Sequence, residues 1–301
     1  MSDLYISGLT GFVGSNVNQY LKNVNNLLKI FPLNFKNNMQ PELTLGSIVI
    51  HLAGKAHDLK KSSNSNEYYQ VNTELTKELF DAFIDSDAKV FITLSSVKAV
   101  ADEVIGDLTE GAFANPVTHY GKSKLLAEQY ILSKVIPKGK RVYILRPCMI
   151  HGPGNKGNLN LLYDLVSKGF PWPLGDFENK RSFCSIENLC FIIKELIERE
   201  DIPSGVYNIA DDIPLSTNEV IRIIGESKGK ATRILNLNKS FIHLLARIGD
   251  LMKLPLNTER LQKLTESYIV SNDKIKNALG QPLPISSKEG LMSTFESFSK
   301  K

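Results

Sequence analysis

Cysteine is scarce in this chain of 301 residues: only Cys148, Cys184 and Cys190 occur. The number is odd and no C-x-x-C pair is present, so neither a disulfide framework nor a zinc site is suggested. The five histidines form no H-E-x-x-H or related set, so no metal is expected. Long apolar runs are missing as well. The stretch "LCFIIKELI" is short and broken by charge, far from the roughly 20 residues of a membrane span. The start, "MSDLYISG", has neither a basic region nor a long apolar core, so no signal peptide is expected. No Arg-rich stripe with interleaved aromatics is found, and the net charge of +4 is mild. Repeats and low-complexity tracts are absent too. These absences point to a cytoplasmic globular protein with neither nucleic acid nor a membrane as partner.

What is present is alternation. "DLYIS" (3–7) is a short apolar run followed by Gly8, and "GFVGSNVNQYLKN" carries Phe12, Val13, Val17, Tyr20 and Leu21 near one helical stripe. "LLKIFPL", "SIVIHLAG" (47–54), "KVFITLSS" (89–96) and "RVYILRP" (141–147) read as further strands, with helical "EYYQVNTELTKELFDAFIDSD" among them. Strands alternating with helices predict right-handed crossovers and a parallel α/β sheet covered on both faces. After residue 150 the texture changes to Gly-, Asn- and Pro-containing loops, with helices over 217–252 and 257–279. This divides the chain into a dinucleotide-binding unit, 1–150, and a substrate unit, 151–301. "GVYNIA" (205–210) is a strand that can return to the first sheet, so the two units are expected to interleave.

The first turn, "SGLTGFVGS", places Gly8, Gly11 and Gly14 after a strand and at the opening of a helix. Gly8 permits the tight turn, Gly11 a close approach of backbone to a pyrophosphate, and Gly14 close helix–strand packing. The helix N-terminus then offers free N–H groups to phosphate. NAD enzymes place an acidic residue about 20 positions on, for the ribose 2′-hydroxyl. Here "FPLNFKNN" holds no acid. Lys36 is available for a 2′-phosphate, which would favour NADP, or is simply a solvated loop residue. Downstream, "HYGKSK" sets Tyr120 four residues before Lys124, on one helix face. Such a pair is either an ordinary exposed helix start or a phenol whose pKa a neighbouring ammonium lowers.

Taken in order, these segments resemble the extended short-chain dehydrogenase/reductases, the NAD-dependent epimerase/dehydratase family that acts on nucleotide sugars. The resemblance runs through most of the chain. Gly8, Gly11, Phe12, Val13 and Gly14 match the nucleotide turn. "HLAGKAH" (51–57) matches the H-x-A-A stretch, with Leu52, Ala53 and Gly54 at the cofactor and Lys55 toward substrate. Asn72 matches the Asn that organises the site, Ser96 the catalytic Ser, and "YGKSK" the Tyr-x-x-x-Lys. "LRP", ending in Pro147, and "HGPG" match the segment beside the nicotinamide. The resemblance implies a Rossmann-type doubly wound sheet with a smaller, mostly helical C-terminal unit. It also implies NAD or NADP as cofactor, a UDP-sugar as substrate, and a homodimer formed through the helices near Asn72 and Tyr120. Ser96, Tyr120 and Lys124 become the catalytic set, with Lys98, Asn158, Arg181 and Arg260 beside the substrate. For Ser95 a structural role is expected.

Three reactions share this scaffold. A 4,6-dehydratase needs an acid and a base directly after the catalytic hydroxyl, and Val97 and Lys98 stand there instead. The stretches "SSVKAV", "GNKGNLNLL" and "PLGDFENKRSF" most resemble the bacterial surface-polysaccharide branch. Met149 replaces an Asn common among epimerases, and the strand with the adenine-side Asp is not recognisable. Together these features predict a reductase of a UDP-4-keto-6-deoxy-N-acetylhexosamine with an exchanging cofactor. The alternative is a 4-epimerase of UDP-glucose or UDP-N-acetylglucosamine with tightly held NAD. A non-catalytic NAD(P)-binding protein is more remote, because the three catalytic residue types are all retained.

Overall fold

The strand Ile48–His51 is buried along its whole length, as an inner strand of a parallel sheet covered on both faces must be. The computed structural model describes residues 3–25, 28–33, 42–55, 64–155, 157–252 and 256–299. Its first half runs β1 (Leu4–Ser7), α1 (Phe12–Val24), β2 (Ile30–Leu33), β3 (Ile48–His51), α2 (Ser65–Tyr69), a π-helical turn over Gln70–Glu74, α3 (Leu75–Asp85), β4 (Val90–Leu94), β5 (Asp107–Leu108), α4 (His119–Ser133) and β6 (Arg141–Pro147). The second half runs β7 (Met149–His151), α5 (Asn158–Ser167), β8 (Phe183–Ser185), α6 (Ile186–Glu198), β9 (Gly205–Ile209), α7 (Thr217–Ser227), α8 (Lys239–Met252), α9 (Thr258–Thr265), β10 (Ile269–Val270), α10 (Asp273–Leu279) and α11 (Ser287–Ser299).

The main sheet has the order β2-β1-β3-β4-β6-β9, and every pairing is parallel. The chain leaves β1 for β2 on one side and comes back to β3 on the other. Such a reversal opens a crevice at the carboxyl ends of β1 and β3, where doubly wound sheets take their ligands. Gly8 follows β1 and Leu52–Gly54 follow β3, so both segments border the crevice.

Three apolar cores hold the molecule together. One lies on the sheet face covered by α1 and α6 and takes in Ile275 and Leu279 of α10. The opposite face packs on Leu79, Phe80 and Phe83 of α3 and Ile131 of α4. The third sits in the C-terminal unit, among side chains of α5, α7, α8, α9 and α11. Because α6, β9 and α10 belong to the first sheet and its cover, the chain passes between the units more than once.

Candidate functional site

The Gly-rich turn closes tightly on the sheet. Gly8 adopts φ +74°, and a Cβ there would lie 2.6 Å from the Ala53 backbone nitrogen. A side chain at Gly14 would fall inside contact distance of the Gly8 carbonyl, so only glycine lets α1 approach β1 this closely. Gly11 caps α1 with no side-chain hydrogen bond, and the first turn of that helix holds no acidic residue. The amide donors and the positive end of the helix dipole therefore remain available to an anion. Phe12 approaches from the side, its ring near Gly152 of the "HGPG" segment. Glycines with no room for a side chain and an uncapped, acid-free helix start fit a dinucleotide diphosphate. Lys36 lies outside the described residues.

Ser96 and Tyr120 converge at the ends of β4 and α4. Ser96 caps the short 3₁₀ turn Val97–Ala99, accepting from the Lys98 amide at 3.2 Å. Thr118 caps α4 by accepting from the Gly121 amide at 3.1 Å, and this fixes the helix start one residue before Tyr120. Tyr120 and Ser96 share a side-chain hydrogen bond. Burial holds the phenol above its ordinary pKa, the Ser96 bond works in the opposite direction, and Tyr68, edge-on at 6.3 Å, adds a small upward push. Lys124 lies one turn further along α4, buried, with its Nζ donating to the Leu94 carbonyl at 2.8 Å. Burial pulls its pKa down to about 8, against the Glu128 carboxylate, which pulls it up.

Beneath this pair a hydrogen-bond chain joins the phosphate turn to the π-helical turn. The Ala53 amide donates to Ser7 Oγ at 3.1 Å, and Ser7 Oγ stands 2.7 Å from His51 Nδ1. His51 Nε2 stands 2.9 Å from Thr76 Oγ1, whose hydroxyl donates to the Asn72 carbonyl at 2.9 Å. Thr76 has already used its proton, so His51 must donate from Nε2 and accept at Nδ1. That tautomer is neutral. Burial, and then the charge of Lys124, hold its pKa down at about 3. Asn72 sits in the π-helical turn, a helix irregularity that turns side chains inward at functional sites. It donates to Ser123 Oγ at 3.0 Å and to the Lys55 carbonyl at 3.1 Å, and accepts from the Lys55 amide at 2.8 Å. Gly54 completes the group: a Cβ there would come within 3.1 Å of Lys124 Nζ and 3.2 Å of Asn72 Oδ1.

The sequence reading passed over Glu128 and Arg146. Glu128 is buried on α4, one turn past Lys124, and Arg146 reaches it from β6 with Nε at 3.0 and 3.1 Å and Nη2 at 2.5 Å. Ser95 Oγ donates to the same carboxylate, which gives Ser95 the structural role expected of it. One buried ion pair thus ties the neighbour of Ser96 to the helix of Tyr120 and Lys124 and to the strand ending in Pro147. The available signal was spacing. Glu128 lies four residues after Lys124 on the same helix face, and Arg146 directly precedes Pro147.

The substrate-side residues are less closely grouped. Lys55 is ion-paired with Glu67. Lys98 donates to the Asp102 carbonyl at 2.7 Å and lies 4.3 Å from the Tyr268 ring centroid, with burial holding its pKa below the usual value. Arg181 donates to the Lys263 carbonyl and faces Glu266 at 3.6 Å. It is therefore already engaged with a carboxylate that a diphosphate would have to displace. Arg260 lies exposed in the first turn of α9, and Asn158 opens α5. Among the described residues no group of three or more His, Cys, Asp or Glu side chains could hold a metal ion.

The sequence profile of the NAD dependent epimerase/dehydratase family matches residues 4–210. The chain belongs to that family. Among its relatives is a UDP-glucose 4-epimerase of Vibrio cholerae, 30% identical, with 98% of this chain and 95% of the relative aligned. A GDP-6-deoxy-D-mannose reductase of Pseudomonas aeruginosa is 24% identical, with 74% of this chain and 79% of the relative aligned. Among solved structures, that of MoeE5 in complex with UDP-glucuronic acid and NAD superposes with a TM-score of 0.74 at 20% identity, covering 99% of each chain. That likeness shows the shared fold. The membership establishes an enzyme of the nucleotide-sugar epimerase and reductase kind on a Rossmann-type α/β scaffold.

Proposed function

We propose that the chain is a UDP-sugar 4-epimerase. The observation that carries this reading is its full-length similarity to the V. cholerae UDP-glucose 4-epimerase, joined to the grouping of Ser96, Tyr120 and Lys124. When bound on the glycine turn, the nicotinamide cofactor supplies the hydride chemistry. Tyr120 takes the proton of the sugar 4-hydroxyl and returns it, while Ser96, already bonded to the phenol, orients the same oxygen. Lys124 carries positive charge at neutral pH, since its pKa near 8 stands above 7. That charge favours the phenolate form of Tyr120. The residues after Ser96 are Val97 and Lys98, so no carboxylate pair stands ready to eliminate water. We assign Arg181 to the diphosphate, whose oxygens a bidentate guanidinium would suit once they displace Glu266.

The second reading is the 4-keto reductase expected from the sequence. Met149 favours it; the side chain starts β7 and packs on the C-terminal core in place of a polar Asn. So does the relative that reduces a deoxy-sugar nucleotide. One experiment separates the two. The purified chain is given UDP-glucose or UDP-N-acetylglucosamine with no cofactor added, and the sugar is followed by NMR. A 4-epimerase produces the C4 epimer and retains NAD through purification. Consumption of added NADH or NADPH only in the presence of a UDP-4-keto-6-deoxy sugar, without epimer formation, overturns the epimerase reading in favour of the reductase.

A further inference from the structure

The carboxylate of Asp102 has no part in the catalytic reading, yet it is bound at the start of the catalytic helix. Asp102 ends the segment that begins at Ser96, and from there it reaches the residues just ahead of α4. Oδ2 accepts from the Val117 amide at 2.8 Å and from the Thr118 amide at 3.3 Å. Oδ1 accepts from the Thr118 hydroxyl at 3.3 Å. Neither amide has a carbonyl of α4 to bond. The same hydroxyl accepts from the Gly121 amide as the cap of α4. One carboxylate thus holds the capping residue, and the capping residue sets where the helix begins. Tyr120 lies two residues further on.

The two segments joined in this way are in close contact. A Cβ on Gly121 would fall 2.3 Å from the Lys98 carbonyl oxygen and 2.8 Å from Pro116 Cβ. The Asn115 amide donates to the Val100 carbonyl at 2.7 Å. The C-terminal unit clamps the far side of the Ser96 segment: Tyr268 donates its hydroxyl to the Ala101 carbonyl at 2.7 Å, and its backbone pairs with that of Arg181. With the Ser96 segment held there, the place of Tyr120 depends on how the start of α4 is fixed to it. Lys98 Nζ bonds the Asp102 carbonyl and not its carboxylate, so a change of the side chain leaves that bond in place. Asp102 is half-buried and belongs to none of the three apolar cores. What its side chain contributes is acceptor oxygens at fixed positions.

We propose that Asp102 is a positioning residue for Tyr120: its carboxylate fixes the start of α4 against the Ser96 turn and so keeps the phenol in hydrogen-bond reach of the Ser96 hydroxyl. It acts through Thr118 and the first turn of the helix. Alignment of a catalytic pair is demanding, and a misplacement of about 1 Å lowers a rate by up to roughly 100-fold. The proposal rests on the reading of Tyr120 as the proton carrier, and it holds for an epimerase and a reductase alike.

The test is steady-state turnover of Asp102→Ala and Asp102→Asn, each alone and combined with Tyr120→Phe. The assay is epimer formation from UDP-glucose or UDP-N-acetylglucosamine, or NAD(P)H consumption with a UDP-4-keto-6-deoxy sugar, whichever the unaltered protein performs. Asp102→Ala is expected to lower kcat by roughly 10- to 100-fold while KM and cofactor affinity stay near their unaltered values. Asp102→Asn keeps an oxygen for the two amides and is expected to restore most of kcat. With Tyr120→Phe already in place, Asp102→Ala should lower kcat no further, because the phenol whose place it sets is gone. A merely structural role would lower turnover equally in both backgrounds. Melting followed by circular dichroism checks that each variant is folded at the assay temperature. Asp102→Glu, which keeps the charge but moves the oxygens by one methylene, replaces Asp102→Ala should the latter not fold, with the same loss expected. An unchanged kcat, an equal loss in both backgrounds, or an Asn variant as impaired as the Ala variant overturns the proposal. Normal turnover by Tyr120→Phe alone would instead overturn the reading of Tyr120, and the proposal with it.

Discussion

Replacing Glu128 by Gln tests whether the buried ion pair holds the catalytic segments in register. Glu128 is 2% exposed and Arg146 7%, and the carboxylate takes two hydrogen bonds from the guanidinium Nε, one from Nη2 and one from Ser95. Gln is nearly isosteric, so packing is kept while the charge of Arg146 loses its partner. Breaking one side of a buried pair costs about 3–5 kcal/mol. At roughly 2 °C per kcal/mol for a chain of this size, the melting midpoint should fall by about 6–10 °C. Replacing both partners by Met removes the stranded charge, and that double variant should be more stable than Glu128→Gln alone. A second readout follows from Lys124, whose pKa near 8 is held up by Glu128. Without the carboxylate that pKa drops, and Lys124 loses its charge at lower pH. The alkaline limb of kcat/KM should therefore move to lower pH. Thermal unfolding followed by circular dichroism and a pH–rate profile measure the two effects. A midpoint within about 2 °C of the unaltered protein, with an unmoved alkaline limb, would refute the reasoning.

Tyr120→Phe should lower kcat by roughly 100-fold or more while cofactor binding, measured by fluorescence titration, survives; near-normal turnover would remove Tyr120 from the mechanism. Arg181→Ala should weaken UDP-sugar binding by about 1.5–3 kcal/mol in calorimetry and leave NAD(P) affinity unchanged; the reverse pattern would place Arg181 away from the substrate. His51 is held neutral at a pKa of about 3 against an ordinary 6.5, so between these values the unfolded chain binds the extra proton. Stability should thus fall as pH drops through that window, and His51→Gln should flatten the urea-midpoint profile there; an unchanged slope would deny His51 this part. Gly14→Ala puts a methyl against the Gly8 carbonyl. It should lower both the melting midpoint and cofactor affinity, and a variant with both intact would show that α1 can move away.

Local chemistry made much of this protein legible from its residues alone. The buried β-runs, the glycines at the first turn and the Tyr-x-x-x-Lys spacing each depend on contacts within a few residues, and such patterns are written directly in the chain. Arg141–Pro147 is a strand over the same bounds that its apolar run predicts. Helices joined by loops were expected over 217–252, and the chain forms two there, with a break between Ser227 and Lys239 whose place only the structure gives. Gly229 stands at φ +65° there, and residues 233–236 pair with the loop around Trp172. Pairing with a distant segment keeps this stretch out of either helix.

The substrate side was less legible for the same reason. Arg181 and Lys98 look alike in sequence as free cations, but Glu266 and Tyr268, far along the chain, engage them. The Glu128–Arg146–Ser95 cluster joins α4 to β6 and to the end of β4; spacing puts Glu128 one turn after Lys124, but nothing local brings Arg146 and Ser95 to it. Residue order determined which groups could do chemistry here and on which elements they ride. Tertiary structure alone decided which of them are desolvated and which are paired, because burial and Coulomb interaction depend on distance in space and not on distance along the chain.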